Sequence, residues 1–159
     1  MSLFSRFIKN KQVIYSPVKG CAVELESVND YVFQNKMIGD GAAVIPEEGK
    51  LYSPADGEIK VVFPTKHVIG VETEDHIGII MHVGIDTVEL NGEGFHPAVK
   101  VGDKVKTGDL LMEFDLEQMQ KKFDMSVMIC VDNSEQYLFD DRYFGSVTAG
   151  KELFSLKEK

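Results

Sequence analysis

The segment Tyr15-Ser16-Pro17-Val18-Lys19-Gly20 returns as Tyr52-Ser53-Pro54-Ala55-Asp56-Gly57. A second motif, Val105-x-x-Gly108-x-x-Leu111, returns as Val147-x-x-Gly150-x-x-Leu153. In the first motif proline fixes φ at the start of a turn, and the glycine is expected to accept a positive φ. The second reads as strand, turn and strand. Two motifs repeated in matching order imply a duplicated all-β unit whose halves pack sheet on sheet. The rest of the chain agrees. Short β-branched runs bounded by Gly, Pro and Asp predict strands over 13–15, 21–25, 42–45, 58–63, 68–72, 77–83, 110–114, 126–131 and 153–156. Leu116, Met119, Gln120 and Phe123 share one helical face, which predicts a helix over 116–123. A second short helix is expected over 134–139.

The 159 residues suit a single domain with a sizeable core, assigned to 13–159, preceded by a tail over 1–12. In that tail Leu3, Phe4, Phe7 and Ile8 have the spacing of a short amphipathic helix, although a frayed tail is the commoner outcome. Hydrophobic residues make up 43% and charged residues 27%, an ordinary globular balance. The net charge of −9 argues against nucleic acid or an anionic membrane as partner and favours basic ones. Cys21 and Cys130 match no metal spacing and read as reduced thiols of a cytoplasmic protein. No apolar run approaches the ~20 residues that span a bilayer.

Chemistry concentrates in Ile79-Ile80-Met81-His82-Val83-Gly84-Ile85-Asp86. A histidine inside an apolar strand is a nucleophile, a metal ligand or a buried hydrogen-bonding group. Alternation puts Ile80, His82 and Gly84 on one face. The missing side chain at Gly84 is expected to leave space for a large group to approach the imidazole. His67 lies in the turn Phe63-Pro64-Thr65-Lys66-His67, where Thr65 is placed to bond and orient the ring. If the strands of Phe63 and His82 are neighbours, His67 can reach His82, and one ring can attack while the other donates a hydrogen bond to an anion. His76 is expected to be exposed and His96 to sit in a loop. Asp40, in Gly39-Asp40-Gly41, and Asp86 are turn formers, or carboxylates that repel a phosphoryl group or attract a basic partner. His67 and His82 with one carboxylate would make an open three-ligand zinc site, but no His-x-His or His-x-x-x-His spacing supports it. Glycine-rich nucleotide cradles are absent.

The segment from His82-Val83-Gly84-Ile85-Asp86-Thr87-Val88 to Phe95 resembles the signature of the glucose-type IIA component of the bacterial phosphoenolpyruvate-dependent sugar phosphotransferase system. The likeness extends to Gly39-Asp40-Gly41, Thr65-Lys66-His67, Val101-Gly102-Asp103, Glu113-Phe114-Asp115-Leu116 and Gly145-Ser146-Val147. The resemblance implies a duplicated antiparallel β-sandwich. It implies that His82 takes a phosphoryl group from phospho-HPr and gives it to a cysteine on the IIB domain of a sugar permease. His67 would hydrogen-bond the phosphoryl group and Thr65 would orient His67. Asp40 and Asp86 would flank the site, with Phe63 and Ile80 as apolar partner contacts. No cofactor is required, while zinc held by the two histidines at a regulatory interface is a further property of the family. The rival readings are a regulatory binding module, a zinc-dependent hydrolase of related β fold, and a biotinyl or lipoyl carrier. The hydrolase would need a His-x-His pair and the carrier a Met-Lys pair, and neither is present.

Overall fold

Both repeated motifs meet each other in space, each first copy with the other motif's second copy. The computed structural model describes residues 11–159. In it, Ser16 N donates to Lys151 O and Gly150 N to Ser16 O, at 2.7 and 2.9 Å. The same pair of bonds joins Ser53 N to Asp109 O and Gly108 N to Ser53 O, at 2.8 and 2.9 Å. Tyr15 N donates to Pro54 O and Tyr52 N to Pro17 O, so the copies also exchange bonds directly. Ser16 and Ser53 are buried, and each hydroxyl donates to a carbonyl two residues on, Val18 O and Ala55 O.

Among the described residues, fourteen strands carry this duplication. They are β1 (Gln12–Tyr15), β2 (Gly20–Glu24), β3 (Asp40–Pro46), β4 (Lys50–Tyr52), β5 (Gly57–Val62), β6 (Val68–Glu72), β7 (Gly78–Val83), β8 (Phe95–Pro97), β9 (Lys104–Val105), β10 (Leu110–Phe114), β11 (Val127–Val131), β12 (Tyr137–Asp140), β13 (Gly145–Val147) and β14 (Glu152–Glu158). Helix α1 (Tyr31–Gln34) and helix α2 (Leu116–Met119) are single turns. The large sheet runs β13-β2-β3-β11-β7-β6-β5-β9, and two small sheets run β1-β14-β12 and β4-β10-β8. Every pairing is antiparallel. The large sheet reads the same from both ends about the β11–β7 pair, where Ile129 faces Met81. The fold is thus an antiparallel β-sandwich with internal duplication.

One face of the large sheet packs under the small sheets. Val44, Ile69, Val71, Ile79, Met81, Val83 and Ile129 meet Ile14, Leu51, Leu111, Met112, Phe154 and Leu156 in the main core. The other face bears Ala43, Met128 and Cys130, which form a second cluster with Leu25, Val28, Phe33 and Ile85. Burying each such side chain contributes roughly 1.5–3 kcal/mol.

Several expectations need correction. Gly20 and Gly57 do not adopt a positive φ. They open β2 and β5, where a Cβ would meet Ile45 O at 1.9 Å and Glu72 O at 2.3 Å, so close strand approach is what requires them. Gly108 and Gly150, with φ near +90°, are the left-handed turn residues. The helix expected over 134–139 is a 3-10 turn (Ser134–Gln136) followed by β12, because Tyr137–Asp140 pairs with β14. The helix over 116–123 stops after Met119. Gln12, placed in the tail by sequence, opens β1 by pairing with Leu156. His96 lies in β8 opposite Glu113 rather than in a loop. The amphipathic spacing in 1–10 lies outside the described residues.

Candidate active site

His82 is held on β7 between Val68 of β6 and Met128 of β11. His67 immediately precedes β6, so that pairing brings the two imidazoles together. Their centroids are 4.7 Å apart and the rings nearly perpendicular, at 88°. His67 O accepts from Val83 N at 2.8 Å, which ties the turn to the adjoining strand. The turn closes through Lys66 N donating to Phe63 O, with Lys66 at φ 65. His67 is only 3% exposed, whereas His82 is half-buried. The turn stays exposed at Phe63, Pro64 and Lys66, and His67 alone is buried, because β6, rather than the β5 strand that leads to Phe63, is the neighbour of β7.

Each ring has one nitrogen engaged. Thr65 Oγ1 lies 2.9 Å from His67 Nδ1. His82 Nδ1 lies 2.8 Å from Gly84 O, and since a carbonyl only accepts, Nδ1 carries the proton. That leaves Nε2 of His82 as an unprotonated lone pair. Burial, reinforced by the neighbouring His67, lowers the pKa of His82 to about 4, against weaker opposition from the Gly84 hydrogen bond and from Asp30 and Asp86. Burial also lowers that of His67. Both rings are neutral at pH 7.

Gly84 does not open space beside His82. β7 ends at Val83, and Gly84 turns at φ 81, which breaks the alternation assumed from sequence. A Cβ there would meet Thr87 Cγ2 at 2.4 Å and Met125 Sδ at 3.0 Å. Gly84 is needed for this tight bend, which aims its carbonyl at the imidazole.

The mouth of the site is a depression of ≈ 320 Å³ lined by Asp30, Val32, Phe33, Ile38, Phe63, Val68, Ile80, His82, Asp86 and Val88. Val32, Ile38, Phe63 and Val88 are exposed apolar side chains around it. Asp86, at φ 62, and Asp30 are the carboxylates of the rim. Asp40 is not among the lining residues. It opens β3 opposite Val131, and its carboxylate is held by Arg142 Nη2 at 2.8 Å and Lys36 Nζ at 3.5 Å. His76 is exposed, 3.4 Å from Glu72, and does not line the depression.

Asp30, Val32, Phe33, Ile38 and Val88 escape the sequence reading. The signal for Asp30 was present, since an Asp directly before Tyr31-Val32-Phe33 is a helix N-cap pattern. What it does not reveal is that so short a helix lies against His82.

Zinc finds only two imidazole donors here, one fewer than an open catalytic site uses. Among the described residues, no group of three or more His, Cys, Asp or Glu side chains is placed to hold a metal ion. A complete site would need a ligand from another protein. Cys21 is exposed and Cys130 buried, both as free thiols. No helix among the described residues is long and apolar enough to cross a membrane.

Over residues 12–137 the chain matches the family described as phosphoenolpyruvate-dependent sugar phosphotransferase system, EIIA 1. A glucose-specific EIIA component from Oceanobacillus iheyensis is 47% identical over 123 residues, covering 77% of this chain and 74% of that protein. One from Halalkalibacterium halodurans is 43% identical over 127 residues, covering 79% and 73%. A glucoside-specific EIICBA component from Staphylococcus carnosus is 42% identical over 142 residues. That match takes in 89% of this chain but only 20% of the larger protein, so the chain spans about a fifth of it. Among solved structures, glucose permease IIA from Mycoplasma capricolum has a TM-score of 0.88 and 30% identity, covering 98% of this chain and 99% of that one.

Proposed function

Since the chain belongs to the EIIA 1 family of the phosphoenolpyruvate-dependent sugar phosphotransferase system, we propose that it carries a phosphoryl group on His82 Nε2, taken from phospho-HPr and passed to a IIB-domain cysteine of a sugar permease in the cytoplasm. The observation that carries this reading is the paired imidazoles, each with Nδ1 engaged and neither charged at neutral pH.

In acceptance, the His82 Nε2 lone pair forms the new N–P bond. The donor's P–N bond breaks, and its electron pair stays with the donor's nitrogen. The Nδ1–H bond to Gly84 O persists and steadies the phosphorylated ring. We assign the Thr65 hydroxyl as donor to His67 Nδ1, which places the proton of neutral His67 on Nε2. There it serves as a hydrogen-bond donor to a phosphoryl oxygen. Onward transfer reverses the roles: a thiolate forms the S–P bond, and the N–P electrons return to His82. Positioning and electrostatics supply the catalysis, as in other phosphoryl transfers.

The exposed apolar rim offers both partners one shallow surface, and Asp30 and Asp86 within it favour basic ones. Relatives in which an EIIA-like segment forms part of an EIICBA chain support a permease as the acceptor. Incubation with phosphoenolpyruvate, enzyme I and HPr tests the reading. One acid-labile phosphoryl group mapping to His82 supports it, and no mass gain overturns it.

A further inference from the structure

The ring of His82 stands in a slot with two aromatic walls. One is His67; the other is Phe33, edge-on with centroids 5.0 Å apart and an interplanar angle of 64°. Phe33 belongs to α1, a single turn too short to hold its shape in isolation. Two things define it. The Phe33 side chain is buried with Leu25, Val28, Ala43, Ile85, Met128 and Cys130. The Asp30 carboxylate caps its start, with Oδ1 accepting from Val32 N at 2.9 Å and Phe33 N at 3.4 Å.

The orientation of the imidazole matters because its two edges are not equivalent. A half-turn about the Cβ–Cγ bond exchanges Nδ1 with Cδ2 and Nε2 with Cε1. It would leave Gly84 O facing a carbon and turn Cε1–H, which cannot attack phosphorus, toward the mouth. A single hydrogen bond to Gly84 O at the half-buried ring is a modest tether, which leaves a role for the walls.

We infer that Asp30 is a positioning residue for phosphoryl transfer: by capping α1 it sets Phe33 as the second wall of the slot and so keeps His82 in the orientation with Nε2 outward. The inference rests on the phosphocarrier reading for its consequence, but not for its geometry. The titratable and charged groups facing His82 are His67 from the turn before β6, Asp86 from the bend after β7, and Asp30 itself.

The test compares the full chain with Asp30→Ala, Asp30→Asn and Phe33→Leu. Ring ¹⁵N shifts of His82 report which nitrogen holds the proton, and single-turnover acceptance from phospho-HPr reports function. Asn at position 30 keeps the carbonyl acceptor for the cap and removes the charge. Asp30→Ala and Phe33→Leu are expected to mix the Nδ1–H and Nε2–H forms. They should slow the single-turnover rate at saturating phospho-HPr roughly tenfold; Asp30→Ala and Asp30→Asn lose the same rim charge and so weaken docking alike, while Asp30→Asn keeps the single Nδ1–H pattern and the saturating rate. A wild-type ¹⁵N pattern in either folded Asp30→Ala or Phe33→Leu overturns the inference. So does loss of the pattern in Asp30→Asn as complete as in Asp30→Ala. Should Asp30→Ala fail to fold, Asp30→Gly, which also lacks the cap acceptor, takes its place, and a wild-type ¹⁵N pattern there overturns the inference. If the wild-type chain accepts no phosphoryl group, the phosphocarrier reading falls, and the ¹⁵N pattern still judges the positioning.

Discussion

The two halves of the large sheet differ in what they do with the same place. Val68 of β6 pairs with His82 of β7, and in the other half Gly41 of β3 pairs with Cys130 of β11. The residues just before, His67 and Asp40, correspond as well. One copy holds an imidazole at a depression, and the other holds a fully buried thiol. The connections explain the difference. Between β5 and β6 the chain uses only residues 63–67, a tight turn that leaves His82 reachable. Between β2 and β3 it uses residues 25–39, long enough to lay Leu25, Val28 and Phe33 over Cys130. Burial then acts on both groups with opposite sign, because it disfavours whichever form is charged. It lowers His82 to about 4, leaving a neutral nucleophile, and raises Cys130 to about 12, leaving an inert thiol. The covering segment also serves the open copy, since Val32, Phe33 and Ile38 line the depression.

The comparison breaks most sharply at His82. His82→Ala should abolish phosphoryl acceptance, read as loss of the acid-labile mass gain. If the variant is still phosphorylated, the assignment of the open copy is wrong. His67→Gln comes next. It should still accept from phospho-HPr but slow onward transfer roughly 10²–10³-fold, the usual cost of losing one transition-state donor, as seen by stopped-flow with a IIB domain.

Stability against pH tests the burial argument. The folded-state value of His82 lies below its ordinary 6.5, so between about 6.5 and 4 the unfolded chain binds the extra proton. Its contribution is complete above pH 6.5 and is lost as pH falls toward 4, by at most about 3 kcal/mol. Lowered in the same direction, His67 adds to the slope. Urea titrations across that window should show it, and the slope should shrink in His82→Ala. Gly84→Ala should cost roughly 1–3 kcal/mol through strain at φ 81 and overpacking against Thr87 and Met125; an unchanged Tm would refute the tight-bend reading. The smallest effect belongs to the covered copy. Cys130→Ala should lower stability by about 1–2 kcal/mol and leave acceptance intact. Reduced acceptance in a folded Cys130→Ala would show that the covered half takes part in transfer.

Much of this was legible in the chain. Ser16 and Ser53, with Gly108 and Gly150, announced the duplication, because turn chemistry is local and survives as motif. The long buried strands 77–83 and 126–131 were legible for the same reason. β9 and β13 were legible only through the repeated Val-x-x-Gly-x-x-Leu motif, and β4, β8 and β12 were not legible: each has four residues or fewer and exists only through its partner strand. Gly84 misled because alternation was extended past the end of β7. Asp40 stood out as a rim carboxylate by motif, yet Arg142, far along the chain, holds it in place.

The sequence by itself determined that the protein is a doubled β-sandwich with two histidines set near a turn and on a strand, since periodicity, turn residues and short motifs are written in neighbouring positions. Only the tertiary structure decided that His67 is closed off from solvent, that Gly84 O fixes the tautomer of His82, that Phe33 forms a wall beside it, and that one copy is open and the other closed. Those outcomes depend on strand register and on where a connecting segment lands, and both are set by contacts between residues far apart in the chain.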